Sequence, residues 1–141
     1  MSYVVNPTMD FRSAGTVADH AYWLSGLELR NAGGEAPVGK VDARSEGFGV
    51  GDPPAGETQH TAGVLTGGNN AAMPYTEQSK AWGKAPKAPR RNILHLDAEN
   101  LSRVVVHPKR AKLGCDARLR VTTDGPVDLR LAGCHRTASF G

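Results

Sequence analysis

Apolar and polar positions alternate most regularly between residues 114 and 134, GCDARLRVTTDGPVDLRLAGC. Leu119 and Val121 alternate with Arg118, Arg120 and Thr122. After a turn, Val127, Leu129 and Leu131 alternate with Asp128 and Arg130. Period two on both sides of Asp124-Gly125 predicts a β-hairpin. A two-residue turn at Asp124-Gly125 sets Val121 opposite Asp128, apolar against charged. A three-residue loop, Thr123-Asp124-Gly125, sets Val121 opposite Val127 and Leu119 opposite Leu129. It also suits a type I turn closed by a left-handed glycine, supplied by Gly125. In this register Arg120 faces Asp128, a favourable cross-strand pair. Cys115 then lies across from Gly133, one residue from Cys134, which predicts a Cys115–Cys134 disulfide. The alternative is two free, half-buried thiols.

The same period recurs upstream. Leu94, Leu96 and Ala98 alternate with Ile93, His95 and Asp97, and Asn100 supplies a turn. Residues 101–107, with Val104-Val105-Val106, predict a second strand that Pro108 ends. Pro108-Lys109-Arg110-Ala111-Lys112 predicts one helical turn. Residues 19–30 read as a further strand, whose Tyr22, Leu24, Leu27 and Leu29 face inward if Ser25-Gly26 is a bulge. Residues 39–45 read as its weaker partner, with Val41 and Ala43 on one face and Asp42 and Arg44 on the other. Short strands at this spacing predict an all-β fold, a small antiparallel β-sandwich.

Two stretches lack such a pattern. Residues 1–18 read as a flexible lead-in. Residues 46–90 are Gly/Pro-rich punctuation, expected as a long irregular insertion in a single sandwich domain over 19–141. Tyr75 and Trp82 are its candidate anchors to the sheet.

Composition sharpens this picture only a little. The chain has 141 residues, one domain's worth, with 17 glycines and 9 prolines, which limits the core. Its net charge of +3 arises from interspersed acids and bases, a balance that argues neither for nor against nucleic acid, whose binding needs basic residues clustered on one face. The basic run Lys84, Lys87, Arg90 and Arg91 has no helical face and reads as solvated linker. No apolar run is long enough to cross a membrane as a helix. The opening residues carry no secretory signal, yet a disulfide points to an oxidising compartment. The expectation that reconciles them is the tail of a longer secreted protein, or a truncated copy of one.

Candidate chemistry is sparse. The histidines His20, His60, His95, His107 and His135 are scattered without zinc spacing, so neither a metal nor any other cofactor is expected. There is no G-x-S-x-G elbow, and Ser25 reads as a bulge residue. Gly47-Phe48-Gly49 with Gly51 lacks the lysine and helix of a phosphate loop. His20, after Asp19, reads as an exposed strand-entrance residue, or else as a histidine lent to a composite site. Trp23, Tyr75 and Trp82, with Tyr22, are either core residues or a platform for sugar rings or a polymer surface. Burial of Trp23 and Trp82 would favour the first, and a coplanar exposed row the second.

Several short motifs occur together: Asp19-His20-Ala21-Tyr22-Trp23-Leu24-Ser25-Gly26, Lys80-Ala81-Trp82-Gly83, Val104-Val105-Val106, Arg110-Ala111-Lys112-Leu113, Thr123-Asp124-Gly125-Pro126 and Leu131-Ala132-Gly133-Cys134. From about Val17 onward they resemble the C-terminal region of a bacterial family of large secreted proteins that look like α/β-hydrolases of the tannase and polyester-depolymerase kind. The resemblance implies a β-rich terminal module, extracellular or periplasmic, whose partner is an upstream hydrolase-like domain. It carries over no catalytic residue, because the chain has no nucleophile elbow. The expectation is a non-catalytic β-module. The alternative is a free-standing carbohydrate- or polymer-binding module using Trp23, Tyr75 and Trp82.

Overall fold

The computed structural model describes residues 2–5, 19–33, 37–69 and 71–141. They form ten strands in chain order: β1 (Ser2–Val5), β2 (Leu24–Leu29), β3 (Gly39–Ser45), β4 (Ala55–Leu65), β5 (Met73–Trp82), β6 (Ile93–Glu99), β7 (Leu101–Val106), β8 (Arg118–Thr123), β9 (Val127–Leu131) and β10 (Arg136–Phe140). A 3₁₀ turn, Glu46–Phe48, follows β3. The chain divides into two compact units, Met1–Gly49 with Pro89–Gly141, and Val50–Ala88.

The first unit is a β-sandwich. One sheet has the order β1-β3-β6-β8 and the other β10-β9-β7-β2. Inward positions of both sheets share one core, including Leu24, Leu27, Val41, Leu94, Leu96, Leu101, Val104, Val106, Val127, Leu129 and Leu131. Leu119 and Val121 are half-buried against it. Burying each such side chain contributes roughly 1.5–3 kcal/mol. The predicted all-β sandwich is therefore the fold. Its sheets are mixed, since β6 and β8 are parallel and so are β7 and β9.

The hairpin predicted around Asp124-Gly125 is not formed. β8 pairs with β6, and β9 with β7 and β10, so the chain crosses between sheets at residues 124–126. Pro126 gives the reason. In the hairpin register Thr122 and Pro126 close the loop, and proline has no N–H to donate. Inward alternation is the same for a hairpin and for an arch that bends across a core, so the pattern alone does not separate them. Arg120 accordingly lies beside His95 in one sheet, and Asp128 beside Arg103 in the other. Gly125 is not left-handed either. A Cβ there would lie 2.7 Å from the Arg30 guanidinium carbon, so its lack of a side chain serves close approach.

Three such arches stack side by side: β2 to β3, β6 to β7 and β8 to β9. Their bends are tied by polar groups. Asn100, at φ 53°, takes the left-handed conformation that asparagine tolerates well. Its side chain accepts from the Asn31 N–H at 2.9 Å and donates to the carbonyls of Asn31 and Val38 at 3.0 and 3.1 Å. Its backbone N–H donates to both Asp124 carboxylate oxygens, at 3.0 and 3.1 Å. Arg30 donates to Asp124 Oδ1 at 2.8 Å. The Arg30 hydrogen bond, then the Asn100 N–H, hold the Asp124 carboxyl below its ordinary value.

At the opposite end Cys115 and Cys134 form the predicted disulfide, with Cα atoms 5.3 Å apart. An arch returns its two ends to the same edge of the sandwich, as a hairpin would. The pairing therefore follows although the hairpin does not. In the chain-entropy model this closure contributes about 3 kcal/mol. Arg136 braces the same end by donating to the carbonyls of Cys115 and Ala117 at 2.9 and 2.8 Å.

Upstream, Gly26 at φ 54° and the register shift between Ser25 and Glu28 form the predicted bulge. Leu24 and Leu27 are buried as expected, but Tyr22 is 72% exposed and Trp23 is buried in its place. The strand begins only at Leu24, because Tyr22 and Trp23 form a tight turn bridged by Ala21 and Leu24. Val41 and Ala43 face the core from β3 as predicted. Pro108 opens one turn, in which the Ala111 N–H reaches the His107 carbonyl at 3.0 Å. Ser2–Val5, placed by the sequence in a flexible lead-in, pair with β3. Residues 6–18 of that lead-in lie outside the described residues.

The second unit is a two-stranded ribbon, β4 paired with β5, where the sequence predicts only an irregular insertion. All residues of β5, and all but one of β4, are exposed. A strand with solvent on both faces has no core to impose alternation, so period-two reasoning finds nothing to detect.

Two predictions follow from the bends. The folded-state pKa of Asp124 is depressed, so its contribution is complete above the ordinary aspartate value and is lost as pH falls through the lowered one. Thermal melts from neutral pH down to strongly acidic pH are expected to show a smaller loss of Tm for Asp124→Asn, from a lower starting point, than for the wild type. Gly125→Ala drives a methyl into a guanidinium already fixed by Asp124, and is expected to cost about 1–3 kcal/mol in urea unfolding.

Candidate functional site

Each outer sheet face carries a polar cluster placed by strand register. On the first sheet, register puts Arg44, His95 and Arg120 in one row and Asp42, Asp97 and Thr122 in the next. Together with Leu96 and Val121 they line a shallow hollow of about 560 Å³. His95 Nε2 donates to Glu46 Oε1 at 2.7 Å, and Arg91 lies 3.7 Å from the other oxygen. The His95 hydrogen bond outweighs partial burial and, with the charges of Arg91 and His95, holds the Glu46 carboxyl below its ordinary range. Rows of opposite sign side by side leave this hollow charge-balanced. No group of three or more metal-ligating side chains occurs among the described residues.

On the second sheet, Ser25 Oγ and His107 Nε2 are hydrogen-bonded at 2.8 Å, part-buried. Ser25 sits on the bulge of β2, and the His107 N–H donates to the Trp23 carbonyl at 2.9 Å. This is the nucleophile-to-base contact of serine catalysis. The next requirement, a group orienting the imidazole through its other nitrogen, is not met among the described residues. The pair acts as a clasp between β2 and the end of β7. Sequence reasoning did not join these residues, since they lie 82 positions apart and only strand pairing brings them together.

Beside His107 lies the second hollow, of about 570 Å³, at the disulfide end of the sandwich. Pro108, Leu113, Ala132 and the Cys115–Cys134 bridge give it apolar walls, and Lys109 and Arg110 join His107 on its rim.

The residues named from sequence are not brought into one site. Trp23 is buried in the sandwich core. Tyr75 and Trp82 belong to the ribbon, 42% and 65% exposed. Seven positions apart on one strand, they point to opposite faces and lie about 23 Å from each other. Tyr75 lies across its register partner Gly63, where a side chain would collide with its ring. Lys80 sits 5.7 Å over the Trp82 ring, a cation–π contact within the ribbon. Exposure thus splits the two readings of these aromatics, and no coplanar row forms. His20 is exposed, 3.2 Å from Asp19.

Removing the Ser25–His107 hydrogen bond by Ser25→Ala is expected to cost about 1 kcal/mol of stability. A fluorophosphonate probe is expected to leave Ser25 unlabelled in the wild type, as read by intact-mass spectrometry. Compared with known protein families, curated proteins and solved structures, the chain matches none.

Proposed function

We propose that this chain is a non-catalytic, disulfide-clasped β-sandwich module that accompanies a secreted hydrolase-like domain and grips it through the ribbon. The observation that carries the reading is the ribbon itself. Val50–Ala88 form a separate unit with almost no burial of its own. At its tip, register brings Val64 beside Pro74 and Leu65 beside Met73. Val64, Leu65 and Met73 are each more than half exposed. Aliphatic side chains at the tip of a two-stranded ribbon suit a groove on another protein domain. A sugar ring would ask instead for an aromatic face.

Two further features support the setting. A disulfide is retained in oxidising compartments, which fits an extracellular or periplasmic module. The motifs that resemble the secreted hydrolase-like family include the β2 turn, β7, the third arch and the clasp, all structural parts of the sandwich. The polymer-binding alternative has less support, because Trp23 is buried and Tyr75 and Trp82 diverge.

A photo-cross-linking residue at Leu65 is expected to capture a hydrolase-like domain, within the same polypeptide or a neighbouring one, identified by mass spectrometry. Leu65→Glu with Met73→Glu is expected to abolish that capture without changing the Tm. Capture that survives both charges, or retention of the chain on insoluble polysaccharide or polyester instead, would overturn the reading.

A further inference from the structure

We propose that the hollow at the clasped end of the sandwich is a binding site for a small organic anion, a carboxylate on a compact apolar body. The proposal goes beyond the ribbon's role, since it concerns the sandwich and is measured on this chain alone.

Its rim carries His107, Lys109 and Arg110, and among the described residues no acidic side chain lines it. Elsewhere in the sandwich some cations have a carboxylate: Arg30 has Asp124 at 2.8 Å, Arg103 has Glu28 at 2.6 Å and Lys40 has Glu99 at 3.1 Å. Lys109 and Arg110 have no such partner among the described residues, and both are exposed. Pro108 and Ala111 on the same turn are buried, so the backbone that presents the two cations is anchored in the sandwich. His107 is fixed as well, through Ser25 at 2.8 Å. The ring is thereby oriented before any ligand arrives, which lowers the ordering cost of binding.

The walls set the chemical class. Leu113 is only 8% exposed, and with Pro108, Ala132 and the disulfide it leaves an apolar surface beneath the cations. A bare inorganic anion would meet the rim and leave those walls wet. A neutral apolar molecule would cover them and strip water from unpaired charges at a cost. A carboxylate on a short chain or ring satisfies both parts. A volume of about 570 Å³ falls within the range of small-molecule sites.

The test is an NMR titration of the full chain with hexanoate and benzoate, against inorganic phosphate and the neutral hexanol and benzyl alcohol. Saturable shifts are expected with both carboxylates, concentrated at residues 107–115 and 132–135. Phosphate and the alcohols are expected to bind at least tenfold more weakly. Lys109→Gln with Arg110→Gln is expected to weaken carboxylate binding about tenfold, a change of about 1.4 kcal/mol, with the Tm unchanged. Phosphate binding as tight as the carboxylates would reduce the site to a cationic surface and overturn the proposal. Alcohols binding equally well, shifts spread over the whole sandwich, or no saturation with any probe would do the same.

Discussion

The Asp124 carboxylate accepts from Arg30 and from the Asn100 N–H, and Asn100 in turn holds Asn31 and Val38. Three chain reversals that are distant in sequence are thereby bound into one edge. Each is an arch, which carries the chain from one sheet to the other without pairing its own two strands. An arch has little local hydrogen bonding to hold it. Its strands depend on neighbouring arches for their ladders, and its bend depends on neighbouring bends for polar partners. Once the bends are in register, the inward rows from β3, β6 and β8 meet those from β2, β7 and β9. The sandwich core follows from that meeting.

The opposite edge uses a covalent solution to the same problem. The chain returns from β7 to β8 through residues 107–117, a connection with no sheet partner of its own. Asn92 pins it by accepting from the Gly114 N–H and donating to Asp116, both at 2.8 Å. Ser45 pins it by donating to the Ala111 carbonyl at 2.6 Å. The disulfide then joins this connection to the turn after β9. Two edges, one polar and one cross-linked, bound a core whose strands are only five to seven residues long in β2, β3 and β6 to β9.

Legibility in the sequence tracks burial. β3, β6, β8 and β9 each alternate because one face meets the core, and each is visible as a strand, as is β7 through Val104-Val105-Val106. Their partners were not visible. Period two records which residues face inward and says nothing about which sheet they face inward from, so an arch read as a hairpin at Thr123-Asp124-Gly125. The clue lay one residue further on, in a proline placed where a hairpin needs a donor. β4 and β5 left no trace, because an exposed ribbon selects neither face. Tyr22 and Trp23 exchanged roles for a related reason. The strand starts after them, so the alternation that would have ordered them does not reach that far. The Ser25–His107 and Glu46–His95 contacts arise from tertiary placement alone, with no local spacing to announce them.

The division between the units has a chemical counterpart. In the sandwich, apolar side chains face inward, and Asn100 and Asp124 at the bends find protein partners. In the ribbon, aliphatic side chains at the tip are exposed, and Lys80 lies over the exposed Trp82 ring. A two-stranded ribbon by itself is marginally stable in water. Keeping its apolar tip exposed adds a hydration cost. A surface that removed Val64, Leu65 and Met73 from water, as proposed for the hydrolase-like partner, would supply free energy that the ribbon's own strands do not.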